Sequence, residues 1–353
     1  MRESRKMDHL KFAMLLPDGP GATGFDDLQL VHNCLPNLSA KDISLNGSIA
    51  GIAFEHPLII NAITGGAADV TVVNAELAKF AQQTRSIMAV GSQYGALANP
   101  ALRESFAIVR KIYQDGLFWA NIGAYATVEE AQAAVDMIGA CALQIHLNPG
   151  QEAVMPEGDR DYRGYLDNIA RIAAAVSVPV IVKEVGCGIA REQAEQLLKA
   201  GIRVVDVGGT GGTNFLAIEN SRRLQPLTTS ELSWGIPTAV SAVEVASAIL
   251  PASGQLIVSG GIRTALDVVK ALSLGATAVG IAGPVLRCIR SEGTVAAIQW
   301  FEELQESIQR YLLLLGAATP VDLQHVPVVI GGASRNWLEA RGIDTSRFAR
   351  RSK

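Results

Sequence analysis

Eight short apolar runs alternate with helix-like segments between Pro57 and Ile281, and this alternation restricts the fold more than any other feature. The runs are short and rich in β-branched residues, as buried parallel strands are. Strands that alternate with helices form a closed barrel or an open doubly wound sheet, and eight evenly spaced units favour the barrel. We therefore predict an α/β fold, a TIM (β/α)8 barrel, with strands within 57–63, 87–92, 117–123, 142–148, 179–186, 202–209, 256–258 and 278–281.

Two glycine turns in the segment 255–286 predict where an anion binds. Gly260-Gly261 follows the seventh predicted strand, and Ala282-Gly283 follows the eighth. A glycine turn before a helix leaves bare backbone N–H groups, and the last two strands of such barrels commonly hold a phosphate in this way. One pair alone would indicate only a tight turn. Two pairs, one βα unit apart, predict a phosphate site.

Polar residues stand where the predicted strands end. The carboxyl ends of barrel strands converge on one mouth, where enzymes of this fold have their active site. Lys183 directly follows the apolar run 180–182, and a lysine in a low-dielectric mouth rarely stays unpaired. The candidates for the mouth are Thr64, Ser92, Asn121, His146, Lys183, Thr213, Gly260, Gly261, Ala282 and Gly283.

Composition and charge exclude several classes of function. Hydrophobic residues make up 49% of the 353 residues and charged residues 18%, which suits a large buried parallel core. The net charge of -4 argues against a general nucleic-acid-binding protein. The four cysteines include no C-x-x-C pair, and no apolar run has the length of a signal peptide or a membrane span. We expect a reduced, cytoplasmic protein that binds neither nucleic acid nor a membrane.

Residues 1–50 lack the alternation, so we predict that they form an N-terminal arm packed on the barrel. The barrel and its C-terminal helices would then occupy residues 51–353. We predict a hairpin leading to Phe54, a loop over 214–237 and a long helix over 294–315. The arm and the long helix predict a ring-like homo-oligomer, a tetramer or an octamer.

The residue types at the mouth suit flavin mononucleotide (FMN). The positive charge of Lys183 would stabilise the reduced ring, although the residue type also leaves open a Schiff base, as in barrel aldolases. The side chains suited to the pyrimidine edge of the ring are Thr64, Ser92 and Asn121. The groups suited to the phosphate are Thr213, Gly261, Arg263 and Gly283.

Several motifs match one known family. The specific pair is R-K-M-D-H at 5–9 together with H-L-N-P-G-Q-E at 146–152, because other FMN barrels share the phosphate turns. The other matching motifs are A-I-T-G-G at 62–66, V-G-S-Q at 90–93, E-G-D-R at 157–160, V-K-E-V-G at 182–186, G-G-T-N-F at 211–215, S-G-G-I-R at 259–263 and A-G-P at 282–284. On these residues the sequence resembles the type 2, flavin-dependent isopentenyl diphosphate isomerases from Arg5 to about Glu339.

The resemblance implies interconversion of isopentenyl diphosphate and dimethylallyl diphosphate with reduced FMN and Mg2+. NADPH or NADH would reduce the flavin, with no net redox change in the substrate. Glu152 would bind Mg2+, which prefers one or two carboxylates with phosphate oxygens and waters. The implied substrate-binding residues are Arg5, Lys6, His9, Asn148 and Gln151. The implied FMN-binding residues are Ala62, Ile63, Thr64, Ser92, Asn121, Lys183, Thr213, Gly261, Ile262, Arg263, Ala282 and Gly283.

Moving a double bond by one carbon requires a proton to be added at one carbon and removed from another. Side-chain acids are poorly matched to an unactivated alkene at neutral pH, so our hypothesis assigns the main acid–base role to reduced FMN. Lys183 would set the charge of the flavin, and Gln151 would assist proton return. His146 completes the predicted catalytic set.

The sequence departs from the family pattern at Tyr94, since an arginine often follows V-G-S-Q. Two alternative functions stay open. One is an FMN barrel oxidoreductase acting on a 2-hydroxy acid or a dihydropyrimidine, although the sequence has no H-G-G-R-Q-like stretch. The other is a flavin-binding protein without catalysis.

Overall fold

The predicted strands form a closed parallel barrel. A computed structural model describes residues 11–63 and 70–352, and neighbouring barrel strands follow chain order. The first strand pairs with the eighth, with Leu58 opposite Val279, which closes the sheet. In the described ranges the barrel strands are Leu58–Ile60, Ile87–Ala89, Phe118–Gly123, Ala142–Leu147, Val180–Glu184, Val204–Asp206, Gln255–Ser259 and Ala276–Ile281. The predicted TIM barrel is confirmed.

A helix follows each strand and covers the outside of the barrel. Capping boxes at Thr127 and Thr264 explain where two of these helices begin. Each threonine side chain accepts a hydrogen bond from the backbone N–H of the acidic residue three positions later, Glu130 or Asp267. The side chain of that acidic residue accepts one from the backbone N–H of the threonine. The covering helices are Val70–Thr84, Glu104–Ile112, Val128–Ile138, Tyr165–Ala175, Arg191–Lys199, Thr238–Ile249, Ala265–Ser273 and Gly283–Glu292. The predicted long helix is also present, as Thr294–Leu315.

The segment 214–237 contains two short helices, Phe215–Asn220 and Thr229–Leu232, so the prediction of one long loop is wrong. Asn214 caps the first of them, because its Oδ1 accepts a hydrogen bond from the N–H of Ala217 at 3.0 Å. Residues 11–15 are also helical, and the remaining α-helices of the described chain are Tyr94–Ala98, Pro149–Val154, Gly332–Ala340 and Ser346–Ala349. The 3-10 helices are Phe25–Asp27, Ala40–Asp42, Pro100–Leu102, Leu250–Ala252 and Val321–His325.

A hairpin closes the amino end of the barrel. Its strands Gly47–Ile49 and Ile52–Phe54 pair antiparallel, which confirms the predicted hairpin. Ile49 and Phe54 belong to the same buried cluster as Trp119, which fills the inside of the barrel at this end. Because apolar side chains pack this end, the opposite end is the one that admits a ligand.

The chain before the hairpin contacts both the C-terminal region and the mouth. Leu28–Leu30 pairs antiparallel with Val328–Ile330, a pairing that the sequence did not indicate. At the mouth, the N–H of Gly19 donates to the carbonyl oxygen of Gly212 at 3.1 Å. The division into an arm and a barrel at residue 50 stays a prediction. Arg5, Lys6 and His9 lie outside the described residues.

The helices and the cysteines bear on whether the protein has a membrane span or a reactive thiol. Among the described residues, none of the helices is both long enough and apolar enough to cross a membrane. All four cysteines carry free thiols. Burial raises the pKa of Cys187 to about 12 and also raises the pKa of Cys141, so these thiols are poor nucleophiles at neutral pH.

Candidate active site

The carboxyl ends of the barrel strands surround one cleft, and most of the predicted site residues meet there. Of the predicted residues that the structure describes, Arg263 is the one that does not line this cleft. Thr64 lies outside the described residues, so its position stays a prediction. The predicted residues that line the cleft are Ala62, Ile63, Ser92, Asn121, His146, Asn148, Gln151, Glu152, Lys183, Thr213, Gly260, Gly261, Ile262, Ala282 and Gly283.

One wall of the cleft is bare backbone. A Cβ added to Gly212 would lie 2.5 Å from the backbone nitrogen of Gly261. One added to Gly261 would lie 2.6 Å from the carbonyl oxygen of Gly211, so neither position has room for a side chain. Gly261 also has a φ of +72°, in the left-handed region that favours glycine. The helix Gly283–Glu292 begins at this wall, so backbone and helix N-terminus together form a cradle suited to a phosphate.

Two arginines stand beside the cradle, and both are paired with Asp18. The Oδ2 of Asp18 lies 2.9 Å from Nη2 of Arg263 and 3.0 Å from Nη2 of Arg287. Arg263 pairs with Asp18 and does not line the cleft, and its predicted contact with a phosphate stays a prediction. Neither Asp18 nor Arg287 was indicated by the sequence, because each lies outside the strand ends on which the predictions were based.

Lys183 lies at the floor of the cleft with 8% of its side chain exposed. Its Nζ donates to the carbonyl oxygen of Glu184 at 2.8 Å and to Oγ of Ser259 at 3.4 Å. Nζ also lies 3.4 Å from Oδ2 of Asp206, whose side chain is fully buried. The carboxylate offsets the desolvation cost of the ammonium, which favours an electrostatic role over the neutral amine that a Schiff base requires.

A series of hydrogen-bonded side-chain amides crosses the barrel at the floor of the cleft. Asn61 donates to Oδ2 of Asp206 at 2.7 Å, and Gln144 donates to Oδ1 of Asn61 at 3.0 Å. Asn121 in turn donates to Oε1 of Gln144 at 3.0 Å. Nδ1 of His146 lies 2.8 Å from Oδ1 of Asn121. These hydrogen bonds therefore connect the side chain of His146 with that of Asp206.

Gln151 and Glu152 lie on the short helix Pro149–Val154 at the edge of the cleft. Oε1 of Glu152 accepts a hydrogen bond from Asn148 at 3.0 Å. Nε2 of Gln151 donates at 2.9 Å to Glu219, a fully buried carboxylate that the sequence reasoning missed. Within 11–63 and 70–352, no three His, Cys, Asp or Glu side chains are grouped to hold a metal ion. The predicted role of Glu152 as a Mg2+ ligand stays a prediction.

Glu184, next to Lys183, is a buried carboxyl group on the far side of the strand end. Its Oε2 accepts hydrogen bonds from the N–H groups of Gly186 at 2.6 Å and Gly188 at 3.2 Å, and another from Cys187. Burial raises the pKa of Glu184 to about 7, while these backbone donors and the neighbouring Lys183 oppose the rise. Glu184 therefore titrates near neutral pH beneath the cleft.

We expect Glu184 to make the folded protein less stable as the pH rises from 4.5 to about 7. Between the ordinary pKa of 4.5 and about 7, the folded carboxyl keeps a proton that the unfolded chain has lost, so raising the pH favours unfolding. The free energy of unfolding, relative to Glu184→Gln, should fall by roughly 3 kcal/mol across the window. Urea unfolding of both proteins from about pH 5 to about pH 8 measures this. Parallel pH profiles would contradict it.

Tyr94 is the position at which the sequence departs from the family pattern, and its side chain packs against another aromatic residue. Its ring packs edge-on against Tyr125, which lines the cleft, with ring centroids 5.1 Å apart. Ser92 also lines the cleft, while the side chain of Gln93 turns inward and accepts a hydrogen bond from the N–H of Asn121 at 2.9 Å. The V-G-S-Q stretch therefore supports Asn121 from behind.

The sequence reasoning missed the polar residues at and beneath the floor of the cleft. Asn61, Gln144, Asp206 and Ser259 are all buried in the barrel and hydrogen-bonded to one another or to Lys183. A signal was present, because Gln144 and Asp206 each interrupt an apolar strand. A buried polar residue requires a partner, so such interruptions indicate a network.

One protein family matches part of the chain, and individual relatives match nearly all of it. A family described as FMN-dependent dehydrogenase matches residues 157–328. A protein named isopentenyl-diphosphate delta-isomerase from Geobacillus sp. (strain WCH70) is 48% identical over 351 residues, which cover 99% of each chain. A protein of the same name from Symbiobacterium thermophilum is 44% identical, over 100% of this chain and 99% of that protein.

Solved structures share the fold at much lower identity. A mandelate oxidase variant with 2-hydroxy-phenylacetamide superposes with a TM-score of 0.65 at 17% identity, over 94% of this chain and 95% of that one. Mandelate oxidase with (S)-2-phenylpropionate gives a TM-score of 0.65 at 16% identity, over 93% and 98%. At this identity the likeness shows the barrel fold alone.

Proposed function

Because the chain belongs to the type 2, FMN-dependent isopentenyl-diphosphate delta-isomerase family, we propose that it interconverts isopentenyl diphosphate and dimethylallyl diphosphate. Relatives named isopentenyl-diphosphate delta-isomerase match it over 99–100% of its length at 44% and 48% identity. The observation that carries the proposal is that one cleft combines a phosphate cradle, a buried paired lysine and the helix with Gln151 and Glu152. In this proposal, reduced FMN and the substrate diphosphate lie in that cleft.

The described residues fit FMN. The glycine wall at Gly212 and Gly261 has no room for a Cβ, which supports the binding of a phosphate by backbone groups there. The hydroxyl of Thr213 and the backbone at Ile262, Ala282 and Gly283 would complete the phosphate site. Ala62, Ile63, Ser92, Asn121 and Lys183 would contact the ring.

The chain's own residues would orient the ring and control its charge. Bound reduced FMN would supply acid–base chemistry at the alkene carbons, with NADPH or NADH as its reductant. Lys183 would hold a positive charge against the ring, in a site where burial strengthens the interaction. His146 would hold and return a proton at the substrate side, and Gln151, oriented by its hydrogen bond to Glu219, would assist by hydrogen bonding.

The substrate end of the cleft would bind the diphosphate. Bound Mg2+ would neutralise part of the diphosphate charge. Glu152 would hold the ion, while Asn148 orients the Glu152 carboxylate at 3.0 Å. Arg5, Lys6 and His9 would supply further positive groups, and we propose that they act from the N-terminal arm. We also propose a homo-oligomer, either a tetramer or an octamer, as the working form.

An isomerisation assay tests the proposal. The purified protein is examined for bound FMN by its absorbance, reduced with dithionite or NADPH, and incubated with isopentenyl diphosphate with and without Mg2+. We expect dimethylallyl diphosphate to accumulate to an equilibrium mixture, with far less NADPH consumed than substrate converted. Consumption of NADPH in step with substrate would indicate an oxidoreductase, and no conversion by the reduced FMN-bound protein would indicate a flavin-binding protein without catalysis.

A further inference from the structure

We propose that Asp206 is a positioning residue that sets the proton arrangement of the cleft. It would keep Lys183 in its ammonium form and, through the amide chain at the floor of the cleft, determine which ring nitrogen of His146 carries the proton. The inference rests on the proposed function, since it concerns the groups that would face FMN and substrate. Asp206 itself has no exposed surface and does not line the cleft, so it would act only through these two side chains.

The surroundings of Asp206 are those of an ionised carboxylate. Oδ2 accepts a hydrogen bond from Asn61 at 2.7 Å and lies 3.4 Å from Nζ of Lys183. Oδ1 accepts from Oγ of Ser259 at 2.5 Å and from the N–H of Gly208 at 3.3 Å. Each of these neighbours donates, and an ionised carboxylate is a pure acceptor. The group is therefore matched to its partners only while it carries its negative charge.

The first consequence concerns Lys183. The other hydrogen-bond acceptors of its Nζ, the carbonyl oxygen of Glu184 and Oγ of Ser259, are uncharged. Glu184 directs its carboxyl group toward the N–H groups of residues 186–188, and burial raises its pKa to about 7, so it is only partly charged at neutral pH. Asp206 is thus the permanent counter-charge in contact with the ammonium. Without that counter-charge, burial favours the neutral amine.

The second consequence concerns the direction of the amide chain. Asp206 can only accept, and the N–H of Ala62 donates to Oδ1 of Asn61 at 3.0 Å, so Asn61 presents its NH2 group to Asp206 and its oxygen to Gln144. Gln144 then presents its own oxygen to Asn121. The oxygen of Asn121 is left facing His146, so Nδ1 of the neutral ring must carry the proton. Asp206, together with the N–H of Ala62, thereby sets the His146 tautomer across the barrel.

The tautomer is tested first, on the unmodified FMN-bound protein. Nitrogen NMR of 15N-histidine-labelled protein at about pH 8 distinguishes the two neutral tautomers, and His146→Gln identifies the His146 signals. We expect the proton on Nδ1. A proton on Nε2 would overturn the proposal, because the amide chain would then run in the opposite direction. This experiment does not depend on the folding of any Asp206 variant.

The Lys183 branch is tested through the reduction potential of bound FMN. For Asp206→Asn, we expect the preference for reduced over oxidised FMN to fall roughly tenfold, which lowers the potential by about 30 mV for two electrons. Loss of the carboxylate charge alone would raise the potential, since a nearby anion disfavours a reduced anionic ring. A lower potential therefore reports the loss of the Lys183 charge. An unchanged or raised potential would overturn the proposal.

Two further variants separate this role from a structural one. In a Lys183→Met background, Asp206→Asn should no longer lower the potential, because the cation through which it acts is absent. Ser259→Ala removes a hydrogen bond to Asp206 but leaves both charges, so it should shift the potential less than Asp206→Asn. An equal shift with Ser259→Ala, or a persistent decrease in the Lys183→Met background, would indicate a structural effect and overturn the proposal.

A folding defect in Asp206→Asn can be distinguished from a failure of the proposed function. Should Asp206→Asn alone fail to fold, the double variant Lys183→Met/Asp206→Asn should still fold, because it buries no unpaired charge. Failure of the double variant to fold would mean that Asp206 does more than balance Lys183, which overturns the proposal. The unmodified protein is assayed in parallel. If it binds FMN and isomerises the substrate, negative results with the variants count against Asp206 and leave the proposed function standing.

Discussion

Lys183→Gln is expected to lower kcat for isopentenyl diphosphate by roughly 10²–10³-fold, the usual effect of removing one preorganised charged donor from an active site. Lys183 places the buried ammonium at the floor of the cleft, 3.4 Å from Asp206. Glutamine keeps a donor of similar length but carries no charge. The loss should appear in kcat, because the positive charge acts most strongly on negative charge that develops during the reaction.

The measurement is steady-state isomerisation by the reduced FMN-bound variant at saturating substrate, with flavin content determined from absorbance. Lys199→Gln is the matched control, because Lys199 is exposed on the outer helix Arg191–Lys199. We expect the control to keep the activity of the unmodified protein. If Lys183→Gln retained full flavin content and a kcat within about threefold of the unmodified protein, the electrostatic role of Lys183 would be wrong.

Glu152→Gln is expected to lower kcat/KM by roughly 10²–10³-fold and to raise the Mg2+ concentration required for half-maximal activity. Glutamine preserves the length of the side chain and one acceptor oxygen, so the hydrogen bond from Asn148 can persist. It removes the negative charge that a hard cation prefers. The change should therefore weaken metal binding without disrupting the helix Pro149–Val154.

Titration of Mg2+ at fixed substrate, for the variant and the unmodified protein, measures this effect. Glu303→Gln serves as the control, since Glu303 is exposed on the helix Thr294–Leu315, away from the strand ends. An unaltered Mg2+ requirement in Glu152→Gln would rule out this carboxylate as the metal ligand. A parallel loss of flavin content would instead indicate damage to the fold of the cleft.

The barrel was predictable because its signals are local. Apolar runs such as 180–182 and 256–258 identify buried strands without knowledge of their neighbours, and regular alternation with helices allows few topologies. The glycine turns were predictable for the same reason, since a positive φ at Gly261 depends on the backbone there. The two short helices within 214–237 were missed because they are only six and four residues long.

The partners of the site residues were not predictable from such signals. Lys183 was expected in the mouth, but nothing in its own segment shows that Asp206 pairs with it. Arg263 was expected at a phosphate, yet it lies against Asp18, whose position depends on how the first part of the chain packs on the mouth. The sequence alone identifies which residues reach the mouth but leaves open which of them touch.

Strand, turn and helix signals act over a few neighbouring residues, so the sequence was enough to predict the barrel, the end at which the cleft opens and most residues that line it. The order of hydrogen bonds from His146 to Asp206 and the pairing of Asp206 with Lys183 depend instead on how distant segments pack together. Asn61 and Asp206, for example, are 145 residues apart in the chain. Closure of the barrel brings such residues within hydrogen-bond distance, and burial then requires each donor to find an acceptor.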